Sequence, residues 1–155
     1  MNARIVALPP ALVLACALTS CGDGSPNAPT APAAPWRLSP SAPSARSADG
    51  TYLAQWEPEG GALPDAEPFN IRFAARRADG RPLSPDARIV VDAEMPHHGH
   101  GMNLVPTVKR VGAWDSHELI VASGMLLHMP GRWVLSLDIE EDGVLERTQW
   151  FVDVE

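Results

Sequence analysis

Between residues 50 and 155 the sequence alternates apolar and polar residues with a period of two, and turn residues separate the alternating runs. One run places Phe69, Ile71 and Phe73 on one face and Asn70 and Arg72 on the other. A period of two is typical of half-buried strands, whereas a helix would repeat every 3.6 residues. The clearest alternating runs cover residues 69–76, 89–95, 133–140 and 148–154.

Three further strands are predicted at 52–56, 107–111 and 118–123, which gives about seven strands in about 100 residues. This number and spacing predict an all-β fold, an immunoglobulin-like antiparallel β-sandwich. The cysteine pair that joins the two sheets of antibody domains is missing from this part of the chain. The prediction therefore concerns architecture, and architecture alone does not give function.

Residues 1–20 have the features of a lipoprotein signal peptide. One cation, Arg4, precedes an apolar run from Ile5 to Leu18 that is too short for a permanent membrane-spanning helix. The sequence Leu18-Thr19-Ser20-Cys21 resembles the bacterial lipobox, in which the signal is removed before the cysteine and lipid is attached to its thiol. We therefore predict lipidation of Cys21 and attachment to a membrane, with an ordinary secretory signal as the alternative.

The residues after Cys21 bear on the location of such a lipoprotein. An aspartate directly after the cysteine would retain a Gram-negative lipoprotein at the inner membrane, and this chain has Gly22 there. A periplasm-facing position at the outer membrane is therefore favoured, although Asp23 keeps the inner membrane open. With Cys16 removed and Cys21 lipidated, the mature chain would have no disulfide, and its only soft metal ligands would be methionines.

Residues 21–48 are rich in proline, alanine and serine, which predicts a disordered or polyproline-like tether. Trp36 and Leu38 are interpreted as isolated apolar side chains in this tether, with docking onto the domain as the alternative. The remaining residues, 49–155, are enough for one small domain with a single core. The net charge of −7 and the scattered basic residues argue against nucleic acid as a partner and favour a cationic ligand.

Methionine and histidine are concentrated in two short windows. After residue 20 the chain contains four methionines and five histidines, and eight of these nine residues lie within 95–102 (MPHHGHGM) or 125–129 (MLLHM). Proline and glycine predict that the first window is a loop after a strand and that the second is a turn between strands. If the two lie at one end of the sandwich, their imidazole and thioether groups suit copper, Cu(I) more than Cu(II).

The candidate ligands differ in how well a shared metal explains them. His100 and Met102 are two residues apart and would point the same way in an extended chain. His97 and His98 would diverge, so one of them is expected at the surface, as is His117. The principal candidates are His98, His100, Met102, His128 and Met129. Three further candidates have simpler explanations, with Met95 and Met125 as core residues and His97 as a surface residue.

These windows resemble those of the YtkA-like domain family, which is related to the FixH-like accessory proteins of cytochrome oxidase assembly. The similarity covers about residues 67–154 and includes Met-Pro-x-His-Gly-His-Gly-Met at 95–102 and Met-Pro-Gly-x-Trp at 129–133. It implies an exported immunoglobulin-like domain with a role in copper handling or metalloenzyme maturation. The family pattern matches Met95, His98, His100, Met102 and Met129, whereas His97 and His128 are additional here.

No enzyme is predicted. The domain has no thiol nucleophile and no Gly-x-Ser-x-Gly turn, and the adjacent Asp115, Ser116 and His117 cannot easily form a catalytic relay. We expect instead a membrane-tethered periplasmic copper-binding module that exchanges copper with a metalloenzyme or copper-chaperone partner. The alternative is an assembly or protein-interaction module without a metal, in which both windows are structural.

Overall fold

The computed structural model describes residues 36–155, which form two antiparallel sheets. The nine strands are β1 (Ser44–Arg46), β2 (Tyr52–Pro58), β3 (Phe69–Arg77), β4 (Arg88–Met95), β5 (His100–Gly101), β6 (Thr107–Trp114), β7 (His117–Met125), β8 (Gly131–Glu141) and β9 (Val144–Val154). The sheet orders are β1-β2-β3-β7-β6 and β5-β4-β8-β9. All seven predicted strands are present, and the two additional ones have three and two residues.

Alternation places one face of each sheet in a shared core. Phe73 of β3 and Trp133 of β8 are fully buried, and each belongs to the inward-facing series of its strand. The ring centroids of Phe73 and Trp150 lie 6.1 Å apart and join the two sheets. The predicted all-β antiparallel sandwich is therefore confirmed, because its two apolar faces bury each other.

The outer face of β8 is also buried at several positions. Ser136 and Asp138 are less than a tenth exposed although they point away from the core, because β4 and β9 lie on either side of them. Asp138 accepts hydrogen bonds of 2.7 Å from the Nε and a terminal nitrogen of Arg147. The middle of this sheet is therefore covered by its own cross-strand pairs.

The folded domain begins earlier than residue 49. Leu38 is 5% exposed and packs with Ala74 and Leu119 on the outer face of the first sheet, away from the main core. Strand β1 then pairs with β2, with Ala45 opposite Ala54. Residues 36–48 of the expected tether thus belong to the domain, because Leu38 finds apolar surface that sequence periodicity did not reveal.

Residues 1–35 lie outside the described residues, and with them the expected signal peptide, the lipidation site Cys21 and the first part of the tether. Within the described residues, no helix is long and apolar enough to cross a membrane.

Candidate metal site at one end of the sandwich

The first window forms a tight hairpin between β4 and β5. Pro96 follows the last residue of β4, and the His98 amide donates a 3.0 Å hydrogen bond to the Met95 carbonyl. Gly99 has a φ of 62°, a left-handed conformation that glycine adopts without strain. The chain then returns along β4, with His100 opposite Met95.

The hairpin register decides which side chains share a face. Residues directly opposite each other in an antiparallel pair point to the same side of the sheet. Since Met95 points into the core, its partner His100 is also on the core side. Met102 is on that side too, because its amide donates a 3.1 Å hydrogen bond to the Ala93 carbonyl and the register continues. His100 is nevertheless exposed, since it lies at the edge of the sheet, while Met102 is half-buried against the core.

The second window connects the two sheets. Strand β7 ends at Met125 in the first sheet, and β8 begins at Gly131 in the second. The connection is held by Trp133, whose indole nitrogen donates a 3.0 Å hydrogen bond to the Met129 carbonyl. The His128 ring meets the edge of the Trp133 ring at 5.7 Å between centroids and an interplanar angle of 70°.

The two windows meet at Met95 and Gly131. Strands β4 and β8 are neighbours, and their pairing ends with Glu94 opposite Val134. Gly131 has a φ of 122°, and a Cβ atom there would stand 2.9 Å from the methyl carbon of Met95. The positive φ favours glycine at this position, and the flexible end of the Met95 side chain packs directly against it. Both windows lie at one end of the sandwich, which is called the His/Met end below.

The candidate ligands at the His/Met end differ in burial, from fully buried to exposed. Met95 and Met125 are 1% and 0% exposed and are core residues, as the simpler explanation of each predicted. Met102 and Met129 are partly buried and pack against the same core cluster. The exposed histidines are His97, His98 and His100. A level of thioether groups thus lies beneath a level of imidazoles.

His128 differs from the other histidines of the His/Met end. Its side chain is half-buried, and its Nδ1 atom is buried without a hydrogen-bond partner among residues 36–155. An unpaired buried polar atom typically costs about 1–3 kcal/mol. An imidazole nitrogen in this state has a lone pair or a proton available for a ligand.

Oxygen and nitrogen ligands alone do not form a metal site here. Within residues 36–155, no three side chains of histidine, cysteine, aspartate or glutamate are grouped closely enough to hold a metal ion. A metal at the His/Met end would therefore need methionine sulfur, which selects soft ions such as Cu(I).

His117 lies at the opposite end of β7 and is more enclosed than a surface histidine. Its ring stacks on Trp114 at 5.4 Å and an angle of 20°, and burial, with Arg76 adding to it, lowers the pKa of His117. The sequence predicted a surface position for His117. The tight turn that sets Trp114 opposite His117 could not be inferred from the intervening polar residues.

Gly131 and the indole nitrogen of Trp133 were not identified as parts of the site from sequence. Both residues belong to the Met-Pro-Gly-x-Trp motif at 129–133, which carried the family resemblance but gave neither of them a role in the site. Comparison with protein-family models, with curated proteins and with solved structures finds no match for this chain.

Proposed function

We propose that this protein is an exported, lipid-anchored module that binds Cu(I) at its His/Met end and exchanges it with a partner protein. The resemblance of the two windows to YtkA-like domains is part of this proposal. His100, Met102, His128 and Met129 are the proposed principal ligands, with His98 at the entrance. Met95 and Met125 are buried in the core beneath them.

The unpartnered Nδ1 atom of His128 supports the proposal most directly. It lies beside Met129, whose backbone is fixed by Trp133, and the Met95 methyl group approaches the same connection at Gly131. A soft metal would give this nitrogen a partner and would use thioethers from the same end of the sandwich. Hydrogen bonding alone leaves the nitrogen unsatisfied.

The arrangement of exposed imidazoles above half-buried thioethers is suited to the exchange of copper with a partner protein. A partner reaches His100 and His98 without displacing core residues, because both side chains are exposed on the hairpin. Copper transfer would then proceed by ligand exchange, with the partner's ligands arriving before all of this protein's ligands have left. Met102 and Met129, which pack against the core, would hold the ion during that step.

The test is a titration of the purified full chain, in mild detergent and under reducing conditions, with Cu(I) against a competing chromophoric chelator. We expect one equivalent to bind more tightly than micromolar, and His100→Ala with Met102→Ala to weaken binding at least about 100-fold. His117→Gln is the matched control, since it removes an imidazole at the opposite end of the sandwich. Unchanged affinity in the double variant, with the fold intact, would rule out this ligand assignment.

A second candidate function is supported by the complete burial of Met95 and Met125. Both pack as ordinary core residues, and the hairpin and the Met-Pro-Gly-x-Trp turn are stabilised without metal. In that case the His/Met end would bind a protein partner through exposed side chains such as Leu104 and Val105, which are 46% and 96% exposed. A folded wild-type chain that fails to bind Cu(I) would favour this function.

A further inference from the structure

Most cationic side chains of the described residues are neutralised by carboxylates. Seven arginines form ion pairs with aspartate or glutamate, namely Arg72, Arg77, Arg81, Arg88, Arg110, Arg132 and Arg147. Within residues 36–155, no ion pair involves Arg37, Arg46, Arg76 or Lys109. Unpaired arginines are unexpected in a chain of net charge −7, which offers an excess of carboxylates.

Three of these unpaired arginines share the outer face of the first sheet. Arg46 is opposite Leu53, and Leu53 is opposite Arg76, so one cross-strand row carries both arginines. The row extends towards His117, because the β3–β7 pairing ends with Ala75 opposite Glu118, and Arg76 and His117 line the same groove just beyond that pair. Adjacent strands are about 5 Å apart, which puts the backbones of Arg46 and Arg76 roughly 10 Å apart. Beyond His117 the row reaches Trp114, and the Arg37 guanidinium lies over its ring at 5.2 Å.

A groove runs along this row. It is lined by Ser44, Leu53, Ala54, Gln55, Arg76 and His117. Four of these side chains carry hydrogen-bond donors, and this lining includes no carboxylate among the described residues. The Arg76 guanidinium donates one hydrogen bond, of 3.2 Å, to the Arg77 carbonyl, and its remaining donors are available. The Nδ1 atom of His117 is buried and has no partner within residues 36–155.

Arg76 and His117 are placed together without an anion between them. Burial and Arg76 lower the pKa of His117, and they outweigh the opposing effects of a hydrogen bond to the Trp114 backbone and of the Asp115 charge. A bound oxyanion would reverse this balance, because it would accept hydrogen bonds from the guanidinium and favour a protonated imidazole.

We propose that this groove binds an oxyanion of the phosphate class, held by Arg76 and His117 with Gln55 and Ser44 as further donors. Planar guanidinium groups match phosphate oxygens in charge and geometry, which is why arginine is preferred at such sites. The phosphate is that of a free ion or of an anionic phospholipid headgroup. This site is independent of the His/Met end, which lies at the other end of β7.

The first experiment uses the full chain in neutral detergent, free of metal, titrated with inorganic phosphate. The His117 ring signals in an NMR spectrum serve as the readout. We expect a saturable shift and a rise in the pKa of His117, and Arg76→Gln is expected to weaken binding at least about tenfold. Lys109→Gln is the matched control, because it removes an unpaired cation outside the groove. Absence of any shift, or equal weakening by both variants, would overturn the proposal.

A second experiment identifies the source of the phosphate. The full chain is placed in bicelles of phosphatidylcholine with and without phosphatidylglycerol, and the same His117 signals are followed. Saturation by phosphatidylglycerol that is sensitive to Arg76→Gln assigns the site to a headgroup. Saturation by inorganic phosphate alone assigns it to a free anion. If neither ligand shifts His117 while thermal unfolding shows an intact fold, the groove is not an oxyanion site.

Discussion

At the scale of single residues, Trp133 connects the core to the His/Met end. Its side chain is fully buried, its ring contacts His128, and its indole nitrogen donates to the Met129 carbonyl. Trp150 is a useful comparison, since it is 8% exposed and its indole nitrogen has no partner within residues 36–155. The two tryptophans therefore differ in one hydrogen bond within the same core.

Replacing Trp133 with Phe should destabilise the protein more than replacing Trp150 with Phe. Both changes remove ring volume, but only Trp133→Phe removes a hydrogen bond and leaves a carbonyl unpaired, at an added cost of about 1 kcal/mol. Urea unfolding of both variants measures the difference. Equal destabilisation would show that the bond to Met129 contributes nothing to the fold.

Glu141 at the end of β8 is the best-connected buried carboxylate. It accepts hydrogen bonds from the Tyr52 hydroxyl at 2.8 Å, from the Ser84 amide at 2.5 Å and from the Arg77 guanidinium. Burial raises the pKa of Glu141, but these donors outweigh burial and hold that pKa below its ordinary value of 4.5. The Glu141 carboxylate therefore takes up a proton less readily in the folded protein than in the unfolded chain.

The stability that Glu141 contributes should be present above about pH 4.5 and lost as the pH falls through its folded-state pKa. Glu141→Gln should lower the free energy of unfolding at pH 7 by about 3 kcal/mol, because Arg77 loses its buried partner. It should also flatten the loss of stability between neutral and acidic pH. Urea unfolding at several pH values tests both effects, with the neighbouring Glu140→Gln as the control. A wild-type pH profile in Glu141→Gln would contradict this account.

At the scale of elements, residues 36–48 and the β4–β5 hairpin show where sequence patterns were insufficient. Leu38 is buried on the outer face of a sheet, where period-two alternation predicts polar residues. Strand β5 has two residues and is set by hydrogen bonds from a tight turn, so it has no periodicity of its own. Both elements depend on contacts between residues distant in sequence or on turn geometry.

Replacing Leu38 with Ala should destabilise the domain by about 2 kcal/mol, because the change leaves Ala74 and Leu119 partly uncovered. Thermal or urea unfolding of the full chain measures the effect. Leu104→Ala is the matched control, since Leu104 is 46% exposed and its loss should change stability by less than about 0.5 kcal/mol. A neutral Leu38→Ala would indicate that residues 36–42 behave as a tether.

At the scale of the whole molecule, the architecture was predictable and the detail of the site was only partly so. Alternation identified seven strands because both sheets bury one face, which repeats every second residue. In the structure, the strand order places both windows at one end of the sandwich. The sequence could not predict how deeply each candidate ligand at that end is buried. Met95 and His100 point to the same side of the sheet, but Met95 is buried while His100 is exposed because it lies on the edge strand.

The shortness of β5 also affects how the molecule behaves in concentrated solution. Because β5 covers only the last two residues of β4, most of β4 is left as an open sheet edge that another chain could extend by hydrogen bonding. The outward-facing residues Arg88, Asp92 and Glu94 are charged and exposed along that edge. Charges on an open edge oppose aggregation by strand addition, so neutralising that row should make strand addition between chains easier.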